Sequence, residues 1–290
     1  ALSVARTGVA RLRDIPRRTK QLRLPWISLF IVTALVVCAV FAPLVAPHDP
    51  YRIDMSITKL APGDTLSHPL GTDIMGRDML SRLIYGARTS MFMALVALGS
   101  GAVAGTVLGL ISGYRGGWVD ALIMRTTDAS LGFPTILVAM LALVLLGAGL
   151  EVIILAVALN VWDRFSRMTR GEVLYIKEMD FVTLARIAGV SAPMMIWRHI
   201  FPQTVNTFMV MTSLQVGQVI LLEASLSFLG LGLAPGAPAW GIMVAEGRTV
   251  ILDTWWLSLF PGLAITAVVL AFNFFGDWAR DTLDPKLRRI

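Results

Sequence analysis

Few residues in this chain have the types and spacing of a catalytic or energy-coupling site. An ATP-binding loop needs a Gly-Lys pair followed by Ser or Thr, and none of the four lysines follows a glycine. The single cysteine, Cys38, excludes a disulfide framework and a cysteine-rich metal site. The histidines His48, His68 and His199 lie far apart along the sequence. We therefore expect no enzyme activity, no metal site and no cofactor in this chain.

Two glutamates lie inside long apolar stretches, where a carboxylate is costly unless it is paired or hydrated. Glu151 follows a glycine-rich break and is expected near the tip of a helical hairpin. Glu223 interrupts a later apolar stretch. Ion-coupled carriers often place several ionisable residues within their spans, so two isolated glutamates give little support to a self-powered carrier.

The composition indicates what kind of secondary structure holds these glutamates. Of 290 residues, 56% are hydrophobic and 15% are charged, and the mean hydropathy is +0.72. A soluble domain is usually near 25% charged. These values exclude a disordered chain, a fibrous chain and an ordinary soluble enzyme. They predict an all-α, polytopic membrane protein.

Uninterrupted apolar runs give the number of spans, since a spanning helix needs roughly 20 mostly apolar residues. Charge-free runs cover 24–47, 89–114, 129–150, 204–222 and 254–276. The third run continues past Glu151 to Trp162, which is too long for one span. The glycines Gly147 and Gly149 predict a turn that divides it into two short helices. The sequence therefore predicts six transmembrane helices.

The positive charges predict the orientation of these spans. Six spans with both termini in the cytoplasm place 19 Lys and Arg residues inside and 6 outside, as the positive-inside rule requires. The predicted segments are a cytoplasmic basic tail at 1–23, a retained first helix at 24–47, a periplasmic loop at 48–88, a permease core at 89–276 that contains a cytoplasmic loop at 163–203, and a cytoplasmic tail at 277–290.

The loop at 163–203 is the most informative segment. Four of its residues follow a helical spacing, namely Phe181, Leu184, Ala185 and Ala188. Gly189 is expected to end that helix, and Ser191 with Pro193 is expected to begin the next one. Two interpretations remain open: a solvated amphipathic loop, or a docking site for a soluble partner at an exposed helix joint.

The same loop resembles the EAA loop of ABC importer permeases. Gly189 and the Ile-Phe-Pro run at 200–202 fit that pattern, whereas Thr183 and Leu184 stand where the pattern has Glu and Ala. Further segments resemble the dipeptide, oligopeptide and nickel permease group: HPLGTDIMGRDMLSR at 68–82, GYRGGWVD at 113–120, EASLSFLGLG at 223–232 and GDWARDTLDP at 276–285. The resemblance runs from about residue 24 to residue 286 and fits the C-type partner of the two permease chains best.

This resemblance implies a type I ABC importer permease fold in the bacterial cytoplasmic (inner) membrane. The chain would form half of a translocation pathway for di- or oligopeptides, in contact with membrane lipid and without nucleic acid. Its implied partners are a second homologous permease, two cytoplasmic ATP-binding subunits that hold ATP and Mg, and an extracytoplasmic substrate-binding protein. Alternatives are another cargo, such as a nickel chelate or glutathione, or a self-powered carrier or membrane scaffold.

The resemblance also assigns roles to residues. The implied ATPase-coupling residues are Asp180, Arg186, Gly189, Val190, Ser191, Ala192 and Arg198. By spacing alone, Gly101, Gly105, Gly109 and Gly113 lie along one face of a helix and are expected to allow close helix packing or a moving helix contact.

For two sets of polar residues the sequence leaves two roles open. Glu223 either lines the substrate path or has a structural role near the irregular segment that follows it. Arg77, Asp78 and Arg82 either contact the substrate-binding protein or form an internal salt-bridged cap over the spans.

Overall fold

The computed structural model describes residues 25–147 and 149–283, and these residues are helical with no β-strand beyond one isolated bridge. The predicted tail 1–23 and the last part of the predicted tail 277–290 lie outside these residues. The helices are α1 (Trp26–Val45), α2 (Met79–Arg115), α3 (Gly117–Gly132), α4 (Thr135–Leu146), α5 (Leu150–Ala158), α6 (Trp162–Ile176), α7 (Asp180–Ile187), α8 (Ala192–Met194), α9 (Phe201–Phe228), α10 (Trp240–Arg248) and α11 (Trp256–Leu283). A 3-10 turn lies at Met55–Ile57, and a π-helical turn at Met195–Ile200 joins α8 to α9.

Four helical segments are long and apolar enough to cross a membrane, and a bent pair gives a fifth. The four are Trp26–Val45, Met79–Arg115, Ala192–Phe228 and Trp256–Thr282. The bent pair is α3 and α4, which meet at 94°. Pro134 lies at that bend and lacks the backbone N–H that a continuous helix would need. The all-helical membrane class is confirmed, and the count of six spans stays a prediction.

The turn between α4 and α5 falls where the glycines predict it. α4 ends at Leu146, Gly147 adopts a left-handed φ of +91°, and α5 begins at Leu150. α5 has only nine residues, but α6 follows it after a three-residue break. The start of the predicted loop 163–203 is therefore a helix in series with α5.

α2 is the central element of the fold. It begins at Met79, ten residues before the charge-free run, because the Asp78 carboxylate accepts a hydrogen bond from the backbone N–H of Ser81 and caps the helix. With 37 residues it spans roughly 55 Å. We name the end of α2 at Met79 the cap end and the end at Arg115 the loop end.

The glycine face of α2 packs against α5 and α6. A Cβ added at Gly101 would lie 2.8 Å from the carbonyl oxygen of Ala158, and one at Gly109 would lie 2.5 Å from that of Ser166. A Cβ at Gly105 would clash with the carbonyl oxygen of Trp162. A Cβ added at Gly113 would lie 2.7 Å from the side-chain Cβ of Val173. The helix backbones approach this closely only because these positions lack side chains.

Candidate functional site

The segment from Asp180 to Ile200, which we name the elbow, makes a sharp turn at Gly189. The N–H of Gly189 donates to the carbonyl of Arg186, and the N–H of Val190 donates to that of Ala185. Gly189 has a φ of +80°. This pair of bonds is a Schellman motif, which ends α7 and satisfies its last carbonyl groups. The sequence predicted the helix end at this glycine for that reason.

The elbow is seated on the loop end of α2 and α6 through a small apolar core of its own. Val182 on α7 is buried in this core together with Met195 and Ile200 of the π-helical turn. Their partners are Leu110 on α2 and residues Val173 and Ile176 on α6. The elbow therefore packs directly against the core helices α2 and α6.

The outer face of the elbow is apolar and exposed. Leu184 is 66% exposed, Ile187 is 79% exposed and Trp197 is 55% exposed. Met194, at the end of α8, is also exposed. Large apolar side chains gathered on the outside of a helix joint indicate a surface that another protein covers. We name these four residues the elbow patch.

Most residues implied for coupling lie at the surface of the elbow. The exposed ones are Asp180, Arg186, Gly189, Ser191, Ala192 and Arg198, and Val190 is half-buried. Ser191 occupies the N-cap position of α8, but its side chain makes no capping hydrogen bond. The sequence predictions did not single out Ile187, Met194 and Trp197. Their signal is two pairs of apolar residues three positions apart in a polar loop, namely Leu184 with Ile187 and Met194 with Trp197.

Ion pairs brace the loop end behind the elbow. Arg170 on α6 donates through Nε and Nη2 to the two carboxylate oxygens of Asp120 on α3, at 2.6 Å each. Lys177 donates to the carbonyl of Gly113 at 3.2 Å, which ties the end of α6 to α2. A more exposed pair joins Arg167 to Asp128. The bidentate Asp120–Arg170 pair is the strongest of these contacts in geometry.

A different kind of site lies at the cap end, where a buried ion network holds the start of α2. The Oδ2 atom of Asp73 accepts hydrogen bonds from Arg77 Nε and Arg82 Nη1, both at 2.6 Å. Arg82 Nη1 also donates to Glu246 Oε2 on α10 at 2.8 Å. Asp73, Arg77 and Arg82 are all buried. We name these three residues and Glu246 the ion cap.

The ion cap fastens the irregular segment between α9 and α10 to α2. Arg77 Nη1 donates to the carbonyl of Gly236 at 3.1 Å, and the N–H of Gly236 donates to Glu246 Oε1 at 3.1 Å. The Trp240 indole donates to the carbonyl of Leu83 at 2.9 Å. These contacts bridge some 160 residues of sequence and fix α10 against the start of α2.

Arg77, Asp78 and Arg82 therefore lie inside the protein. Each of the three side chains has a partner within the chain, although Arg82 Nε is buried without one among the described residues. This burial favours an internal salt-bridged cap over a contact with a substrate-binding protein. Nearly no surface of these residues is available to a second protein.

Folding brings together two histidines that the sequence separates. The rings of His48 and His68 stack with centroids 4.5 Å apart. His68 Nδ1 lies 3.0 Å from Asp78 Oδ1, and His48 Nδ1 lies 3.8 Å from Asp78 Oδ2. These ligand-type atoms lie within 4.8 Å of one another, so distance along the chain was a poor argument against a metal site. His68 and the N–H of Ser81 contact the two carboxylate oxygens of Asp78, and the Ser81 contact caps α2. His48 Nδ1 is buried without a hydrogen-bond partner among the described residues.

The loop at the cap end is shaped by close backbone contacts. Gly76 has a φ of +72°, and a Cβ added there would clash with the carbonyl oxygen of Asp54. The Asp54 carboxylate accepts hydrogen bonds from the hydroxyl and the N–H of Ser56. These bonds hold the pKa of Asp54 below its usual range.

Glu223 lies between α9 and α2 and is 1% exposed. The Ser227 hydroxyl donates to its Oε1 at 2.7 Å, and the Ser90 hydroxyl donates to its Oε2 at 3.3 Å. Both partners are serine hydroxyls within the helices. The geometry favours the structural interpretation, in which Glu223 links two helices, over a position lining a path.

Family models match the chain over most of its length. Residues 105–289 match the binding-protein-dependent transport system inner membrane component. Residues 11–62 match the N-terminal transmembrane domain of oligopeptide transport permease C. The first match includes α5, α6, the elbow and α9 to α11.

Curated relatives are similar along nearly the whole chain. The dipeptide transport system permease protein DppC of Alkalihalophilus pseudofirmus is 37% identical over 282 residues, which are 97% of this chain and 92% of the relative. DppC of Bacillus subtilis is 37% identical over 288 residues, or 99% and 89%. The glutathione transport system permease protein GsiD of Escherichia coli O6:K15:H31 is 40% identical over 272 residues, or 94% and 89%.

The all-helical fold, the several apolar spans and the exposed elbow agree with what these family models and relatives indicate. The chain belongs to the binding-protein-dependent transport system inner membrane components, and within them to the C-type permeases of ABC importers.

Proposed function

We propose that this chain is the transmembrane subunit of an ATP-driven importer and forms half of the translocation pathway for di- and oligopeptides. The observation that carries this proposal is the elbow patch, which is exposed and apolar yet mounted on the buried ends of α2 and α6. Such a surface suits a soluble subunit that pushes on the membrane helices. The chain would itself hold no ATP; ATP and Mg would be bound by the partner.

The proposed topology has six spans with both termini in the cytoplasm. The spans are α1, α2, the bent pair of α3 and α4, the series of α5 and α6, α9 and α11. The elbow then faces the cytoplasm and the ion cap faces the outside. With α6 placed in a span, Arg164, Arg167 and Arg170 leave the cytoplasmic count, and 16 of the 19 Lys and Arg residues remain inside against 6 outside. This balance still supports the topology, as does the position of α5 and α6 along the apolar part of α2.

The proposed assembly contains a second homologous permease, two cytoplasmic ATP-binding subunits and an extracytoplasmic substrate-binding protein. Closure of the ATP-binding subunits would displace the elbow. Because the elbow shares an apolar core with α2 and α6, the displacement would pass to those helices as a rigid-body movement. The close glycine contacts between α2 and α6 leave few interlocked side chains to resist sliding.

Peptide cargo is favoured by the names of the DppC relatives, and glutathione by that of the GsiD relatives. Glutathione is itself a tripeptide, so both cargoes have a backbone and carboxylate groups. A nickel chelate or a self-powered carrier has no supporting observation among the described residues.

The coupling role is tested by Gly189→Trp, measured as ATP-dependent peptide uptake and as recovery of the ATP-binding subunits with the tagged chain. The indole would block the surface of the elbow, and the left-handed φ would add backbone strain. We expect membrane insertion to persist while uptake and ATPase recovery fall at least tenfold.

The matched control is Gly63→Trp in the loop at the cap end. Gly63 has a φ of +90° and, like Gly189, no atom within 4 Å of an added Cβ. It should leave ATPase recovery unchanged. Normal uptake by inserted Gly189→Trp protein would refute the coupling role.

A carrier or scaffold function is tested by purifying the tagged wild-type chain from its native membrane in mild detergent and identifying the proteins that co-elute. We expect a second permease and one or two ATP-binding subunits. Transport by the chain alone after reconstitution would instead support the self-powered carrier.

A further inference from the structure

A recess of about 210 Å³ opens between the start of α4, the junction of α5 with α6 and the middle of α9. Its wall is mixed, with apolar residues beside several side chains that bear amide, hydroxyl or guanidinium groups. The polar residues are Thr135, Asn160, Arg164, Gln215, Gln218 and Ser225. The proposed coupling of the elbow to α2 and α6 does not involve these residues.

The recess lies at the depth of the apolar spans. Gly105 of α2 packs against Trp162 and Phe165, and it lies well inside the charge-free run 89–114. Arg164 lies between those two α6 residues and therefore at the same level. Gln215 is near the middle of the charge-free run 204–222 of α9.

Among the residues that the structure describes, Arg164 has no carboxylate partner, unlike its neighbours on α6. Arg167 and Arg170, on the same helix, pair with Asp128 and Asp120. Within the described residues, no ion pair joins Arg164 to an acid, and its guanidinium donates only to Gln215 Oε1, at 3.3 Å. The side chain is exposed. An unpaired cation at membrane depth needs water or an anion beside it.

We infer that Arg164, with Gln215 and Gln218, is a carboxylate-binding subsite on the wall of the translocation pathway. This inference rests on the proposed function and names the part of the cargo that the pathway recognises. A guanidinium offers paired N–H donors that match a carboxylate, and the neighbouring amides add neutral hydrogen bonds. Peptides and glutathione both bear the carboxylate that such a subsite would take.

The test compares a free dipeptide with the same dipeptide amidated at its C-terminus, in proteoliposomes that contain the whole importer. Each variant's initial ATP-dependent uptake rate is divided by the wild-type rate for the same cargo, so that the preference of the substrate-binding protein cancels. For Arg164→Gln we expect roughly a tenfold loss for the free acid. The amide should change less than twofold.

Two further variants separate recognition from folding. Arg164→Lys keeps the charge and should recover part of the free-acid rate. Arg167→Gln removes an exposed arginine one turn away and should leave both rates near wild type. An equal loss for acid and amide in Arg164→Gln, or no loss for either, would overturn the subsite.

The same assay distinguishes failure of the subsite from failure of the proposed function. Glutathione is included as a second cargo that bears carboxylates. Wild-type transport of either cargo with no acid-specific loss in Arg164→Gln overturns the subsite alone. A wild-type importer that moves neither the dipeptide nor glutathione overturns the peptide cargo and the subsite together.

Discussion

The two ends of α2 differ in how the side chains around them are covered. At the cap end, Arg77 and Arg82 are buried and find their partners within the chain, on Asp73, Glu246 and the Gly236 carbonyl. At the loop end, the elbow patch leaves large apolar side chains uncovered. The charged groups of the cap end find most of their partners within one chain, whereas the loop end leaves an apolar surface that we propose an ATP-binding subunit covers. On that proposal, the cap end maintains the fold and the loop end carries the coupling movement.

The two ends of α2 also show why a charged sequence motif is a poor guide to a contact surface. The run of Arg77, Asp78 and Arg82 has the composition of a polar recognition site, but burial makes it internal. The elbow has few charges, and its exposed apolar residues make it the better candidate interface.

The largest expected effect on stability comes from breaking the ion cap. Arg82→Met leaves Asp73 and Glu246 without their shared cation in a site where Arg82 is 1% exposed. Removing one member of a buried ion pair costs about 3 kcal/mol. We expect the apparent Tm of the purified complex to fall by roughly 6 °C or more.

The control for the ion cap is Arg167→Met at the loop end, which removes an exposed pair with Asp128. Exposed pairs contribute about 0–1 kcal/mol. A comparable loss of Tm in both variants would contradict the contrast between the two ends.

We expect an intermediate loss of stability at the contact between α2 and α6, which lies between the cap end and the loop end. Gly105→Ala inserts a methyl group against the Trp162 carbonyl oxygen and should destabilise the complex by about 1–3 kcal/mol. Gly99→Ala lies in the same helix with no atom within 4 Å of the added Cβ. It should be neutral or slightly stabilising, since alanine favours the helix. Equal thermal stability of the two variants would refute the packing role of the glycine face.

The smallest effect on stability is expected at the elbow patch, although the effect on assembly there is large. Ile187→Glu alters an exposed side chain and should change the free energy of unfolding by less than about 0.5 kcal/mol. A carboxylate in an apolar contact would still reduce recovery of the ATP-binding subunits in a pull-down at least tenfold.

Leu252→Glu is the matched control for the elbow patch, since Leu252 is an exposed apolar residue between α10 and α11. Its recovery of ATP-binding subunits should equal that of wild type. Loss of recovery in this variant as well would indicate a general effect of the added charge.

Local signals predicted a large part of the fold. The charge-free runs located the helices, the glycine pair at 147 and 149 located the turn between α4 and α5, and Gly189 located the end of α7. Each depends on a property of a few neighbouring residues. The extension of α2 back to Met79 was missed because its first turns are polar and depend on the Asp78 cap.

The candidate sites were harder to predict because they depend on contacts between distant residues. Arg82 and Glu246 are 164 residues apart, and the sequence contains no sign that they pair. In α7 the helical spacing of Phe181 and Leu184 was compatible with a solvated loop or a docking site, and both side chains are exposed. Val182, which lies outside that spacing, is the residue that packs into the protein. The apolar surface that α2 and α6 offer decides which face of α7 becomes buried.

The most direct test of the account is photocrosslinking of the assembled importer from one position at each end of α2. A photoreactive amino acid replaces Ile187 in the elbow patch, and the same amino acid replaces the exposed Leu66 in the loop at the cap end. We expect a covalent adduct with an ATP-binding subunit from position 187 and none from position 66. Absence of that adduct from position 187, or equal adducts from both positions, would contradict this expectation.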